Sequence, residues 1–146
     1  AKIFDGVLSL LQCLKLNGYT QILLSATEKQ MLLSQIKRLE ITGMFDEIIG
    51  QDGIEAHGKV GAAIEWMKRT RPQNALFIGD SLHDFEVAQT IGVKCVLVSW
   101  GHQSKERLVK TGAMVLDTVA ELKKVKLKQV RHKLSALLIT QQSIMM

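Results

Sequence analysis

The chain has 146 residues, of which 47% are hydrophobic and 23% charged, and a formal net charge of +5 at pH 7. This length and composition fit a single globular domain that can bury a substantial core. No apolar run approaches the roughly 18 residues of a membrane span, and the sequence therefore predicts none. The positive charge is concentrated in residues 123–146, which contain six lysines and arginines and no acidic residue.

The chain begins at Ala1 without an initiator methionine and without the apolar core and cleavage site of a signal peptide. We therefore expect it to be a fragment or a processed product. Cys13 and Cys95 are too far apart to form a short-spaced metal or redox pair, so we expect two buried, reduced thiols. Reduced thiols and the missing signal favour a cytoplasmic location.

Helix and strand patterns alternate through the first half of the chain. Leu8, Leu11 and Leu14 recur at helical spacing. Asp5 can cap the start of this helix, and Gly18 suits the left-handed residue after its end. The next predicted elements are a strand over Gln21–Ala26, a helix capped by Thr27 over about 28–39, a strand over Glu47–Gly50 and a helix from Lys59 to about Lys68.

The second half is organised around residues 75–84, with the sequence Ala-Leu-Phe-Ile-Gly-Asp-Ser-Leu-His-Asp. Its apolar run has no polar alternation, which is typical of a parallel strand covered on both faces. Gly79 allows a sharp turn after the strand, and Asp80 or Ser81 can cap the helix that follows. The remaining predicted elements are a helix over 83–91, a strand over 93–98, a short helix over about 105–110, a strand over 113–116 and a helix from Thr118 to about Lys124.

This alternation predicts a doubly wound α/β fold, in which ligands bind at the carboxyl ends of parallel strands. Ser25 ends one predicted strand, Asp80 ends another, and Lys59 begins the helix between them. Such a set suits phosphoryl chemistry, because a hydroxyl and an ammonium group can bind phosphate oxygens while a carboxylate binds Mg²⁺. Asp84, one helical turn after Asp80, can bind the metal or orient a metal-bound water.

Each of these residues also has a plain structural interpretation. A serine at a strand end is commonly a cap or turn residue, and a single lysine near a helix start is commonly solvated. Asp80 and Asp84 can cap their helix and interact favourably with its positive end. Their order on successive α/β units favours the functional interpretation.

The order and spacing of these residues resemble the haloacid dehalogenase (HAD) superfamily, most closely its phosphoglycolate-phosphatase-like members, over roughly residues 5–122. Gly79-Asp80-Ser81-Leu82-His83-Asp84 matches the family's fourth motif, G-D-S/T-x-x-D. The other segments that carry the resemblance are Gly6-Val7 to Tyr19, Leu23-Leu24-Ser25 (second motif), Phe45–Ile49, Gly58-Lys59 (third motif), residues 91–101 and residues 112–113. The resemblance implies a Rossmann-like, three-layer core with a parallel sheet, together with a cap domain.

The resemblance also implies a role for each site residue. Ser25 and the neighbouring Ala26, which stands where an asparagine is common, would bind the transferring phosphoryl group. Lys59 would stabilise the charge of that group and of the nucleophile. Asp80 would coordinate Mg²⁺, and Asp84 would support the metal. In such enzymes an aspartate attacks the phosphoryl group to form an aspartyl-phosphate, and a second acid two residues later acts as general acid and base.

Those two aspartates lie in a D-x-D-G-T/S segment at the end of the family's first, central strand, and this segment is not visible in the chain. Asp5-Gly6 does not replace it, because Val7 stands where the second acid belongs. We therefore expect that an upstream segment, with the first motif and the cap, is absent and leaves the central slot of the sheet empty. Two alternatives stay open, in which a second copy of the chain, as a homodimer, or the tail run Leu134–Ile139 fills that slot.

These observations divide the chain into a HAD-like core over residues 1–122 and a basic C-terminal extension over residues 123–146, helical or disordered. The scarcity of aromatic residues and the lack of a reading motif argue against sequence-specific nucleic-acid binding by the extension. The predicted function is a Mg²⁺-dependent phosphatase that acts on a small phosphate monoester, with a nucleophile that is not in this chain, so the chain alone is expected to be inactive. The alternative is a catalytically incomplete binding or regulatory module that retains the phosphate and metal sites.

Overall fold

A computed structural model describes residues 2–51, 58–101, 103–129 and 135–145 of the chain. The strands are β1 (Thr20–Glu28), β2 (Glu47–Gln51), β3 (Asn74–Gly79), β4 (Lys94–Val98), β5 (Met114–Leu116) and β6 (Ser135–Thr140). The helices are α1 (Val7–Leu16), α2 (Lys29–Arg38), α3 (Gly58–Thr70), α4 (Leu82–Ile91), α5 (Lys105–Val109), α6 (Val119–Gln129) and α7 (Gln141–Ile144), with a 3-10 turn over Thr42–Met44. Within the described ranges, no helix is both long enough and apolar enough to cross a membrane.

The strands named above form one sheet in the order β2-β1-β6-β3-β4-β5, and every neighbouring pair is parallel. A hydrophobic core covers each face of this sheet. Helices α1, α2 and α6 pack on one face against side chains such as Leu23 and Ile78. Helices α3, α4 and α5 cover the other face, where Ile22 and Phe77 point. The predicted three-layer α/β fold with a parallel sheet is confirmed.

The central position in the sheet belongs to β6, the strand that comes last in the chain. Ile139 of β6 pairs with Leu23 of β1 on one side and with Ile78 of β3 on the other. This differs from the expectation of an empty slot and of a helical or disordered extension over residues 123–146. It agrees with the alternative in which the tail run fills the slot, although Leu134 of that run lies outside the described residues.

Packing explains why the tail run enters the sheet. Without a central strand, β1 and β3 would each present a row of unpaired backbone groups along an apolar edge. Leu137 and Leu138 are fully buried and face opposite sides of the sheet. An apolar run of strand length that is buried on both faces is the pattern of a central parallel strand. Because β6 belongs to the same chain, the slot that a second copy fills in the homodimer alternative is already occupied in this structure.

Three helix ends show where local sequence patterns succeed and fail. Gly92 follows α4 in the left-handed conformation, with φ +73°, which fits the predicted end of that helix. Gly6 rather than Asp5 holds the N-cap position of α1, in a left-handed conformation with φ +83° and no side-chain capping bond. Glu28 rather than Thr27 caps α2, since its carboxylate accepts hydrogen bonds from the first free backbone N–H groups of that helix.

Candidate functional site

The predicted metal residues lie where β3 ends and α4 begins. Asp84 is fully buried, and its two carboxylate oxygens have different partners. Oδ2 accepts a hydrogen bond from the backbone N–H of Asp80 at 2.9 Å, and Oδ1 lies 3.2 Å from Nζ of Lys59. Ser81 caps α4 by accepting a bond from the backbone N–H of Asp84 at 3.2 Å. Asp84 therefore ties together the end of the strand, the start of the helix and Lys59.

Two glycines make room for these carboxylates. A Cβ atom on Gly79 would lie 2.4 Å from Cβ of Asp84, and a Cβ atom on Gly101 would lie 2.4 Å from Oδ2 of Asp80. Both distances are far below van der Waals contact, so only a residue without Cβ allows the backbone to approach so closely. The loop after β4 thus packs directly on the Asp80 carboxylate, which belongs to a residue that is 2% exposed.

Lys59 lies in the first turn of α3 and supplies the positive charge of the site. Its side chain is 11% exposed, and that of its partner Asp84 is 0% exposed. In such a buried pair, loss of one member leaves the other charge uncompensated, which is strongly destabilising. A lysine ammonium group has three donor hydrogens, so the bond to Asp84 leaves others for an anion in the site.

Ser25 lies near the end of β1, next to β6, and its hydroxyl already has partners. Oγ donates to Oε1 of Gln141 at 2.5 Å and accepts from the backbone N–H of Thr27 at 3.0 Å. The Thr27 hydroxyl donates to the same amide oxygen at 2.9 Å. The amide nitrogen of Gln141 in turn donates to Oε1 of Gln35 at 2.7 Å. The Gln141 amide is therefore hydrogen-bonded at both ends and holds the Ser25 hydroxyl.

Ala26, the other residue predicted to bind phosphate, is exposed. It lies in the part of β1 where the register with β2 shifts, between Leu24 and Glu28. Such an irregularity changes the direction in which side chains and backbone groups point. Since the alanine side chain has no polar atom, only its backbone can contact a ligand.

Gln142, the residue after Gln141, contributes to a different part of the site. It lines a cavity of about 240 Å³ together with Lys59, Asp80, Ser81 and Gln103. Its side-chain carbonyl oxygen is buried and has no hydrogen-bond partner among the described residues. A buried acceptor that lacks a partner is destabilising by about 1–3 kcal/mol.

The structure brings some predicted site residues together and separates others. Lys59 and Asp80 line the cavity, and Asp84 contacts both of them. Ser25 lies on the far side of β6, two strand spacings or about 10 Å across the sheet from the end of β3. Its hydroxyl is bonded to Gln141 instead of facing the cavity residues.

Sequence reasoning missed Gln141 and Gln142. The signal was present, because the apolar run over residues 136–139 is followed by Thr-Gln-Gln-Ser, a strand end of the same kind as those at Ser25 and Asp80. A strand that ends at the functional edge of a sheet places the residues after it in the site. The end of β6 carries hydroxyl and amide groups and no carboxylate.

The donor atoms at the cavity suit a hard divalent cation. The carboxylate of Asp80 and the amide oxygen of Gln142 are oxygen ligands, which Mg²⁺ prefers, and Mg²⁺ usually keeps several waters or phosphate oxygens besides one or two carboxylates. The described residues include no cluster of three or more His, Cys, Asp and Glu side chains that could hold a metal. Asp80 is the one carboxylate among the described residues that line the cavity, so a Mg²⁺ ion held there would take water or phosphate in its other positions.

The cysteines do not add a nucleophile to this site. Both are free, Cys95 buried and Cys13 half-buried, so the prediction of two buried thiols is correct for Cys95 and wrong for Cys13. Burial, and to a lesser extent the negative charge of Asp84, raises the pKa of the Cys95 thiol to about 12. The thiol is therefore protonated at neutral pH, whereas the thiolate is the nucleophilic form.

Comparison with known proteins gives consistent matches. The model of a family described as haloacid dehalogenase-like hydrolase matches residues 1–98. The chain is similar to phosphoglycolate phosphatase 1 of Pseudomonas aeruginosa, at 25% identity over 125 residues that cover 83% of this chain and 46% of that protein. It is also similar to the phosphoglycolate phosphatase of Synechococcus elongatus, at 26% identity over 110 residues that cover 74% of this chain and 51% of that protein. The chain thus spans about half the length of these relatives.

Solved structures share the fold. A predicted phosphatase from Clostridium acetobutylicum superposes with a TM-score of 0.80 at 24% identity, covering 86% of this chain and 60% of that one. A haloacid dehalogenase-like family hydrolase from Streptococcus pneumoniae superposes with a TM-score of 0.74 at 21% identity, covering 84% of this chain and 59% of that one. At these identities the likeness establishes the architecture.

Proposed function

The chain belongs to the haloacid dehalogenase-like hydrolase family, and from this premise we propose that it forms the phosphate- and metal-binding part of a Mg²⁺-dependent phosphatase. The proposed substrate is a small phosphate monoester, in keeping with the phosphoglycolate phosphatases among its relatives. The observation that carries the proposal is the buried Lys59–Asp84 pair beside Asp80 at the end of β3. We also propose a cytoplasmic location, which rests on the sequence alone.

Lys59 and Asp84 act together in this proposal. The buried Asp84 carboxylate fixes the Lys59 ammonium group at the edge of the cavity, and the remaining donors of that group bind a phosphate oxygen. Asp80 holds Mg²⁺, and Asp84 keeps Asp80 in place through the backbone N–H bond. When bound, the metal neutralises charge on the phosphoryl oxygens.

Ser25 and the backbone of Ala26 bind the phosphoryl group from the side of β1. For this to happen, the Ser25 hydroxyl has to exchange its bond to Gln141 for a bond to a phosphate oxygen. A hydrogen bond to a charged phosphate is stronger than one to a neutral amide, so a bound phosphoryl group favours the exchange.

The nucleophile is not supplied by the end of β6. A nucleophilic carboxylate is required to form an acyl phosphate, and the side chains of Gln141 and Gln142 are neutral amides that neither attack phosphorus nor transfer protons at neutral pH. We therefore propose that the chain alone is inactive or nearly so.

A second candidate is a catalytically incomplete binding or regulatory module. It is favoured by one specific observation, that β6 fills the central slot and ends in amides instead of carboxylates. The coding sequence immediately upstream of Ala1 separates the two candidates. A D-x-D-G segment there would rule out the module, whereas a gene that encodes only this chain would favour it.

Two measurements on the purified chain test the proposed site. With Mg²⁺ and p-nitrophenyl phosphate we expect no turnover above that of Asp80→Asn, and robust turnover would contradict the proposed lack of a nucleophile.

By calorimetry we expect inorganic phosphate to bind in the presence of Mg²⁺. We expect Lys59→Met to weaken this binding about tenfold or more, since a hydrogen bond to a charged group is lost. Lys68→Met, which changes an exposed lysine of the same helix, is the control. Equal phosphate binding by both variants and the unmodified chain would overturn the role of Lys59.

A further inference from the structure

The starting observation is the side-chain amide of Gln103, which lies on the loop between β4 and α5. Its oxygen accepts a hydrogen bond from the backbone N–H of Leu82 at 2.8 Å. Leu82 is the first residue of α4, so its backbone N–H has no carbonyl partner within the helix. Because a backbone N–H only donates, the atom that faces it is the amide oxygen and not the nitrogen. This bond therefore fixes which way round the Gln103 amide lies.

The amide nitrogen of Gln103 carries two N–H donors that remain for a ligand. Among the residues that the structure describes, none accepts a hydrogen bond from this nitrogen. The nitrogen is not one of the buried side-chain atoms that lack a partner, so it is accessible. Gln103 lines the cavity of about 240 Å³ together with Lys59, Asp80 and Ser81. Of the two ends of its amide, the nitrogen is therefore the one that can bind a molecule in that cavity.

Two neighbours of Gln103 in the cavity also bring donors. The Lys59 ammonium group has three hydrogens, and its bond to Asp84 at 3.2 Å uses one of them. The Ser81 hydroxyl accepts from the backbone N–H of Asp84 and keeps its own hydrogen for donation. Ammonium, hydroxyl and amide donors around one small cavity suit an anion with several acceptor oxygens, such as phosphate.

From this arrangement we propose that Gln103 donates a side-chain N–H bond to an oxygen of the phosphoryl group that Lys59 binds. The inference rests on the proposed function, because the anion is the same phosphate, but it assigns a binding residue that the family resemblance did not indicate. Asp80 also lines the cavity, and its negative charge disfavours an anion there. The Mg²⁺ of the proposed function offsets that charge, so we expect Gln103 to contact phosphate when the metal is bound.

The loop that carries Gln103 is held to the rest of the molecule on both sides of this residue. Before it, the Ser99 hydroxyl donates to Oδ1 of Asp117 at 2.8 Å. After it, Nζ of Lys105 donates to Oδ2 of the same carboxylate at 2.7 Å. Between these anchors, the backbone at Gly101 packs closely on the carboxylate that follows β3. A loop held at three positions loses less conformational entropy when it binds a ligand, which favours binding.

The first test is calorimetric titration of the full chain with inorganic phosphate in the presence of MgCl₂. Gln103→Leu, which removes the donors and keeps a side chain of similar size, should weaken phosphate binding about tenfold, as expected for one lost hydrogen bond to a charged group. Gln89→Leu, at an exposed glutamine of α4, is the matched control and should bind phosphate as the unmodified chain does. Thermal unfolding without phosphate shows whether each variant is folded.

The second test separates direct contact from an indirect effect, since Gln103→Leu also removes the bond to Leu82. In proton–nitrogen correlation spectra of the unmodified chain with Mg²⁺, one side-chain N–H proton of Gln103 should move downfield as phosphate is added, with the midpoint that calorimetry gives. The Gln103 signals are those missing from the spectra of Gln103→Leu and of Gln103→Glu, which keeps an oxygen for the Leu82 N–H. The side-chain signals of Gln89 should stay in place.

The outcomes separate this inference from the proposed function. If Lys59→Met loses phosphate binding while Gln103→Leu binds phosphate as the unmodified chain does, Gln103 is not a ligand, and the proposed function stands. If Gln103→Leu weakens binding but the Gln103 signals of the unmodified chain do not move, the residue acts only through α4, and the inference is wrong. If the unmodified chain binds no phosphate, both are wrong. Weaker binding together with a phosphate-dependent shift supports the assignment.

Discussion

The two carboxylates after β3 are positioned by close backbone approach as well as by charge. The backbone at Gly79 lies very close to Asp84, and the backbone at Gly101 lies very close to Asp80. A Cβ atom on either glycine would clash with the neighbouring aspartate. Oδ2 of Asp84 accepts a hydrogen bond from the backbone N–H of Asp80, and Oδ1 accepts one from the ammonium group of Lys59. Both carboxylate oxygens of Asp84 are therefore occupied by hydrogen bonds within the chain.

Gly79→Ala tests this close packing. The new Cβ atom would meet Cβ of Asp84 at 2.4 Å, and we expect a loss of about 1–3 kcal/mol in the free energy of unfolding, or somewhat more, from overpacking. Urea denaturation measures this loss. Gly43→Ala is the matched control, because a Cβ atom there would meet nothing within 4 Å, and its effect should stay within about 0.5 kcal/mol. Equal stability of both variants would show that the strand end adjusts freely.

Among the elements, β6 fills the central position of the sheet, between β1 and β3. It pairs with β1 and β3 along most of its length, with Ala136 and Leu138 facing one core and Leu137 and Ile139 facing the other. Its end places Gln141 against Ser25 and Gln142 in the cavity with Asp80. The tail strand therefore contributes both to stability and to the composition of the site.

Leu138→Ala tests the docking of the tail. Because Leu138 is fully buried in the central strand, its truncation should lower the free energy of unfolding by about 2–5 kcal/mol through lost burial and a residual cavity. Chemical denaturation followed by circular dichroism measures the change. Leu16→Ala, at a leucine of α1 that is 88% exposed, should change stability by about 0.5 kcal/mol or less. If the tail did not enter the sheet, Leu138→Ala would change the free energy of unfolding as little as Leu16→Ala does.

At the scale of the whole molecule, a strand of the same chain, β6, fills the central slot of the open sheet. An open slot would be a template for a strand from another molecule, and filling it from the same chain removes that reason to associate. The excess positive charge nevertheless stays in the segment that leads to β6, where residues 123–133 carry six lysines and arginines.

We predict that the chain is monomeric in solution, with an unfolding temperature that does not depend on protein concentration. The physical reason is that β6 of the same chain pairs the inner edges of β1 and β3. Light scattering coupled to gel filtration gives the mass, and thermal unfolding over a hundredfold range of concentration gives the dependence. A dimer whose stability rises with concentration would show that the central strand is exchanged between two copies.

The fold class could be read from the sequence through local patterns, and the family and the positions of Lys59, Asp80 and Asp84 through the order and spacing of motifs that resemble a known family. Helical and strand periodicity and the Gly-Asp end of an apolar run are set by residues within a few positions of one another. The filling of the central slot was decided by tertiary structure, since strand pairing joins segments that no local pattern connects. Gln141 meets Ser25 across 116 positions of the chain, and only the need to pair the inner edges of β1 and β3 brings them together.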